Sequence, residues 1–352
     1  THDFPYFCIN LQNLSFQDKI IFIVGNSRSG TTMMLRIFNN HPQLMVLNEL
    51  HFFEQLWAPE DKGKAISKEK AIELASKLIL TQRVGYMTHD QDFTKFGNEA
   101  SSLIDELSKT EIHAEEVFHH FTKREVVLNG KSVVCEKTPQ NVFYLKEIFE
   151  LYPNAKIINM VRDPRAILLS QKNKWNRRTL GANYMTKKEA LRLRINYHPI
   201  TLSKLWNAAI NAAKSFSSDA RLITVRFEDL LEQPETTLQT VCKHIGVEFD
   251  SNMLNITQES SSIEKDSQEI GFKKERASNW KKGGLNTTEK WICQQMCNTN
   301  LVSNRYEIES IRPNPFYLLY YYISFPVKIS LALLMNLNRM KNIVETLKRR
   351  MK

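Results

Sequence analysis

The sequence predicts an α/β fold, a central and mainly parallel sheet covered by helices, on three observations. Short β-rich runs alternate with helical stretches, as strand–crossover–strand units require. The first run feeds a loop of small and polar residues that opens a helix. Charged residues stand within a few positions of the ends of four of the runs. With 352 residues, 42% of them hydrophobic, the chain can bury the core of one large domain or two small ones, which excludes global disorder.

The first run is Ile20–Val24, and a helical pattern follows over Thr31–Asn39. Leu44–Leu47 is the second run. Residues 58–130 then break the rhythm and read as a helical insertion. In it, "SKEKAIELASKLIL" and "TEIHAEEVFHHF" are amphipathic, and Thr110 is the expected cap of the latter. Val133–Cys135, a helix over Val142–Leu151, and Ile157–Val161 restore the alternation. A second insertion, about 176–216, opens on a Thr186–Glu189 capping box and breaks at His198-Pro199. Leu222–Phe227 is the last run. Cys293 and Cys297 lie one helical turn apart with no histidine cluster, so they read as helix residues rather than zinc ligands.

The tail from about 313 is different. "PFYLLYYYISFPVKISLALLMNL" is nearly all apolar but holds Pro326 and Lys328, and "NRMKNIVETLKRRMK" after it is strongly basic. Two readings are open: an interfacial helix with a basic anchor on a membrane, or a helix packed on the core before a solvated tail. The net charge of +10 makes a polyanion or a phosphorylated cofactor a plausible partner. No basic–aromatic array points to nucleic acid. No signal-peptide pattern opens the chain, and the first residue is not Met, which leaves an upstream anchor open. Sequons at Asn13, Asn255 and Asn286 are weak signs of secretion.

The loop "GNSRSGTT" gathers backbone N–H groups and a helix N-terminus around one point, which is the geometry of a phosphate site. Its spacing is that of a nucleotide P-loop, but Thr31 stands where that motif needs lysine, and the nearest cation is Arg28. No acid ends a strand in the metal-binding manner. The expected site therefore neutralises its anion with fixed cations and requires no metal; a degenerate NTPase loop or a plain turn are the other readings.

In an open parallel sheet the ligand sits outside the carboxyl ends of the strands. Those ends deliver Arg28, then Asn48 and Glu49, then Glu136, Lys137 and Thr138, then Arg162 and Asp163. Asp163-Pro164 is a natural helix start, so Arg162 marks a second anion site. Two such sites suit a ligand with two separated phosphates. Otherwise Arg162 would pair with Asp163 or Glu136.

"GNSRSGTT" together with "VRDPRAILLS" resembles the sulfotransferases that use 3′-phosphoadenosine 5′-phosphosulfate (PAPS), and the collinear match runs from about 20 to 310. The resemblance implies a three-layer P-loop-like fold, with a family domain over 1–312 and a helical tail over 313–352. It implies that Asn26, Ser27, Arg28, Ser29, Gly30, Thr31 and Thr32 hold the 5′-phosphosulfate, and that Arg162 and Ser170 hold the 3′-phosphate. "NELHFF" maps the family's base onto Glu49, which is preferred to His51. "EKTPQNVFYL" maps the lysine on the transferring group onto Lys137. "ERASNWKKGGL" resembles the loop that closes over the 3′-phosphate, through Arg276, Trp280 and Lys281. Phe227 stands where the family often has tyrosine.

The implied reaction moves a sulfonate from PAPS to an acceptor hydroxyl or amine, with Arg28 and Lys137 stabilising the leaving group. The Glu and Lys segments lean towards a carbohydrate hydroxyl, and peptide tyrosine and small alcohols stay open. A P-loop kinase or NTPase, or a non-catalytic adaptor that binds a membrane through its tail, are the alternatives. The expected location is cytoplasmic, with contact at a membrane surface, or the secretory-pathway lumen if an anchor precedes the sequence.

Overall fold

The computed structural model describes residues 19–86, 92–179, 185–258, 267–337 and 342–351. The sequon at Asn13 lies outside the described residues. At the centre runs β1 (Ile20–Gly25), buried along its whole length as a strand covered on both faces must be. Its side chains alternate. Ile20, Phe22 and Val24 enter one core, and Ile21 and Ile23 enter another on the opposite face. The sheet has the order β2 (Leu44–Leu47), β5 (Val133–Glu136), β1, β6 (Lys156–Val161), β7 (Leu222–Arg226), and every pair is parallel. All five carboxyl ends therefore lie on one rim.

The expected runs are found to within a residue at each end, with one change of meaning. Phe227 leaves the sheet and opens α9 (Phe227–Glu232), which puts its ring under the first loop. The loop after β1 leads into α1 (Thr31–Asn39), and Asp163 caps α6 (Pro164–Lys172) by accepting from the Arg165 amide at 2.8 Å. The Val142–Leu151 stretch is helical in two parts: a tight turn over Pro139–Tyr144, then α5 (Leu145–Leu151).

Between β2 and β5 lie α2 (Lys68–Val84), α3 (Gly97–Leu107) and α4 (Ala114–Leu128), packed on the first core. Thr110 does not cap α4. Ile112–His113 (β4) pairs antiparallel with Ala65–Ile66 (β3), which holds the chain extended two residues further. His113 is the capping position, and the Glu116 carboxylate accepts from its amide at 3.2 Å. The Thr186 hydroxyl accepts from the Glu189 amide at 2.9 Å and starts α7 (Lys187–Asn196); Pro199 starts α8 (Pro199–Lys214). After α10 (Pro234–Ile245) comes α11 (Thr287–Ser303), which is capped by Asn286 and buries the free thiols of Cys293 and Cys297.

The tail follows neither expectation as stated. α12 (Pro315–Asn336) is long and apolar enough to cross a membrane; on one side Tyr321 is buried with Ile200 and Ile292 and Phe325 packs beside them, and the other side is exposed. The basic segment is the part that packs. In α13 (Ile343–Met351), Arg349 pairs with Glu147 at 2.5 Å and Arg350 pairs with Glu54.

Candidate active site at the carboxyl rim of the sheet

Two glycines shape the first loop. A Cβ on Gly25 (φ 139°) would lie 2.3 Å from the Met160 carbonyl of β6, and one on Gly30 (φ 98°) would lie 2.3 Å from the Phe227 ring. Only glycine fits either place. Between them Arg28 holds a left-handed backbone (φ 73°), a strained geometry that persists where the surroundings fix it. Its Nε donates to Ser170 Oγ at 2.8 Å, so the loop is tied to α6. Ser29 is buried, and its hydroxyl has no hydrogen-bond partner among the described residues. Thr31 and Thr32 occupy the first turn of α1, where amide N–H groups point outward.

Arg162, at the end of β6, is set by three contacts. It donates to the carbonyls of Arg28 (3.3 Å) and Arg276 (2.8 Å), and its guanidinium stacks on Phe227 at 4.3 Å. Asp163 is not its partner, because Arg165 holds that carboxylate at 2.7 Å. Glu136 is not either: it is buried on Thr138 and Asn141 (2.7 Å), and burial pushes its carboxyl up to about 7. Trp280 is buried against Arg165 and lines the cleft with Arg276.

Glu49, just past β2, is the acid of the cleft, and 34% of its side chain is exposed. Its Oε1 pairs with Lys137, not with Arg28, and its Oε2 lies 3.5 Å from His51 Nε2. The other ring nitrogen of His51 lies 3.4 Å from Glu54, which pairs with Arg350. A line of alternating charge thus runs from Lys137 to the last helix. Burial works against these charges, but the neighbours win. Lys137 and His51 hold the Glu49 carboxyl well below the usual carboxylate range, and Glu49 and Glu54 push the His51 imidazole up to about 9. His51 is buried and packs against Tyr86 with ring centres 4.0 Å apart.

The structure thus gathers Ser27, Arg28, Gly30, Thr31, Thr32, Glu49, Arg162, Ser170, Arg276 and Trp280 around one cleft. Four expected residues do not line it: Ser29 is buried beneath the loop, and Lys137 is buried and reaches the cleft only through its pair with Glu49. Asn26 turns its amide to the Ser27 carbonyl, and Lys281 is half exposed, 3.6 Å from Glu307. Three cations that the motifs did not name do line it: Arg36, Lys174 and Arg177. Arg36 stands one α-helical turn after Thr32, a spacing that points to it; Lys174 and Arg177 lie past the end of α6, in the tight turn Lys174–Thr179, where no helical spacing announces them. Burial, with the crowded cations, pushes Arg28 down to about 9 and Lys174 down to about 8. Six cations face one carboxylate, which is a site organised for a polyanion. Among the described residues, no three His, Cys, Asp or Glu side chains are grouped to hold a metal.

A parallel sheet whose carboxyl rim carries a glycine-flanked loop, six cations and one carboxylate suits a group-transfer enzyme with an anionic donor. The chain belongs to the sulfotransferase family, whose model matches residues 21–251. Its relatives include a putative protein-tyrosine sulfotransferase of Caenorhabditis briggsae, 24% identical over 69% of this chain and 70% of that one. Protein-tyrosine sulfotransferase 2 of Gallus gallus is 24% identical over 67% of this chain and 53% of its own length, so the match spans about half of that relative. Among solved structures, the sulfotransferase domain of the Synechococcus PCC 7002 olefin synthase superposes with a TM-score of 0.51 at 18% identity, over 83% of this chain and 96% of that domain. That likeness is one of fold.

Proposed function

We propose that this chain transfers a sulfonate group from PAPS to an acceptor hydroxyl. One observation carries the reading: six cations converge on a phosphate loop with Glu49 at the edge of the same cleft. The residues fit a donor with two phosphates. The loop amides, Ser29, Thr31 and Thr32 would take the 5′ end. Arg162 and Ser170 would take the 3′-phosphate, beside the buried Arg162 Nε that has no partner of its own among the described residues. Arg276 and Trp280 would close that side, and Lys174 and Arg177 add charge that the motifs did not supply.

In the reaction the acceptor oxygen bonds to sulfur in line as the bond from sulfur to the bridging phosphate oxygen breaks. The electron pair leaves with adenosine 3′,5′-bisphosphate, and the acceptor proton goes to Glu49. Arg28 and Lys137 stabilise charge on the leaving oxygen; a contact of this kind contributes about 3–4 kcal/mol. Lys137 has two tasks. While paired with Glu49 it keeps that carboxylate a weak base, and as it turns to the transferring group the carboxylate becomes more basic. Donor occupancy would thereby switch on the base.

For the acceptor, the names of the relatives support a tyrosine hydroxyl in a peptide ahead of a sugar hydroxyl. With such an acceptor, the secretory-pathway lumen is preferred to the cytoplasm as its location. The test is incubation with sulfur-labelled PAPS and peptide, glycan and alcohol acceptors, with and without a chelator. We expect labelled product that persists under chelation; ATP turnover that requires magnesium, with no labelled product, would replace this reading with a kinase or NTPase.

A further inference from the structure

The charge line that ends on Glu49 passes through a residue held in an unfavourable backbone. His51 is left-handed (φ 51°), a conformation that a side chain with a Cβ adopts where its surroundings hold it there. Its amide donates to Thr138 Oγ1 at 3.3 Å, and its carbonyl accepts from the Gln55 amide at 3.0 Å. The residues after it, Phe52–Leu56, form one π-helical turn, a form that recurs at functional sites. That turn carries Glu54 back to the ring, with Oε2 3.4 Å from His51 Nδ1. Arg350 of α13 pairs with Glu54 in turn.

The other ring nitrogen is left over. Nε2 is buried, makes no hydrogen bond among the described residues, and faces Glu49 Oε2 at 3.5 Å. A buried donor without its bond is costly, so the ring is set for a partner that moves. Glu49 is that partner. At rest, Lys137 holds the carboxylate through Oε1. When Lys137 turns to the transferring group, that hold is released and Oε2 closes on Nε2. Packing on Tyr86 needs only a flat ring, and does not account for two nitrogens set between two carboxylates. Nor is His51 the base itself: it is 5% exposed, and both nitrogens already face carboxylates.

We propose that His51 is the positioning residue of Glu49: its Nε2–H takes Oε2 as Lys137 leaves and keeps Oε1 aimed at the acceptor hydroxyl during transfer. Glu54, paired with Arg350, holds the ring in place for this. The proposal rests on the sulfonate transfer read above, with Glu49 as its base. The acceptor proton goes to the Oε1 that Lys137 vacates, and the imidazolium keeps both of its own. The charges around the ring fit the assignment. Glu49 and Glu54 from its own segment, and Glu136 from the end of β5, favour the cation. Lys137 and Arg350 oppose it, but each is paired with one of those acids. Tyr86 contributes its ring, and Arg28 and Lys174 bear on Glu49 from across the cleft.

The test uses the full chain, labelled PAPS, and whichever acceptor of the panel above gives the most product. His51→Gln places an amide N–H where Nε2 stands, whereas His51→Asn reaches only as far as Nδ1 and suits a left-handed backbone better. We expect His51→Asn to lower kcat about tenfold to a hundredfold, the scale of a hydrogen bond to a charged group. His51→Gln should stay within a few-fold. Affinity for adenosine 3′,5′-bisphosphate, measured by calorimetry, should not move in either. Both variants remove a positive charge from beside Glu49, so its carboxyl titrates at higher pH. The base works as the carboxylate, so the acid limb of kcat should rise by about one pH unit in both. A role in the turn alone reverses the order, with His51→Asn the more active. That order, full activity in His51→Asn, an unmoved acid limb, or a parallel loss of bisphosphate affinity would each overturn the inference and leave Glu49 as an unaided base. A fully active Glu49→Gln, or no labelled product from the unsubstituted chain with any acceptor, would instead remove the reading beneath it.

Discussion

Two lobes of the cleft meet at Glu49 and are built by different means. The lobe proposed for the donor is made mainly where strands β1 and β6 end, by residues that are neighbours in sequence, Ser27 to Thr32 and Arg162 to Ser170, with Phe227, Arg276 and Trp280 added from further along the chain. The second lobe is made almost wholly by elements from distant parts of the chain, since residues 49–54, α7, α8, α12 and α13 all reach it. Where local geometry does the work, a motif must be kept intact. Where packing does it, many side chains can serve. The charge balance differs in the same sense: the first lobe is crowded with cations that repel one another, while in the second Glu49, Glu54, Arg192 and Arg350 stand in ion pairs.

The largest expected effect lies at the junction of the lobes. Glu49→Gln should lower kcat by about 10²–10⁴ and leave donor affinity within a few-fold in calorimetry. A fully active variant would remove the base and with it the division between the lobes. Arg162→Ala sharpens the donor side. It should weaken PAPS by about thirtyfold or more, the scale of a lost charged hydrogen bond, and scarcely affect adenosine 5′-phosphosulfate; equal losses for both would deny Arg162 the 3′-phosphate.

A smaller effect is one of pH. Burial beside Arg28 holds Lys174 down at about 8. The ammonium is the form that binds an anion, and it is lost as pH rises through that value towards its ordinary range. Affinity for adenosine 3′,5′-bisphosphate should therefore fall several-fold between about pH 7 and 9, and Lys174→Met should flatten the slope in titrations across that range. The smallest effect is expected from Arg350→Ala. It uncovers Glu54 and loosens α13, so the KM for acceptor should rise a few-fold while the donor constant does not move. Restoration by Arg350→Lys would identify charge as the cause.

The sheet and the loop that opens α1 were legible because their signals are local. An apolar run such as Ile20–Val24 is a buried strand by composition alone, and Gly30 before two threonines marks a helix start wherever the chain goes next. The Thr110 cap failed because a two-residue strand pairing, Ile66 with Ile112, overrode a local preference. Of the added cations, only Arg36 carried a helical-spacing signal; Lys174 and Arg177 follow the end of α6, and the path of the chain there brings them to the cleft.

Local sequence was enough for the parallel sheet, the glycine-flanked loop that opens α1, the Asp163 cap of α6 and the rim on which they lie. Backbone geometry and short-range hydrogen bonds are encoded within a few residues. Only the assembled fold set that Lys137 and His51 share Glu49, that Arg350 closes the line through Glu54, and that α12 packs through one face and exposes the other. Those outcomes depend on which charges and which apolar faces meet across hundreds of residues, a choice made by burial and pairing in the assembled core.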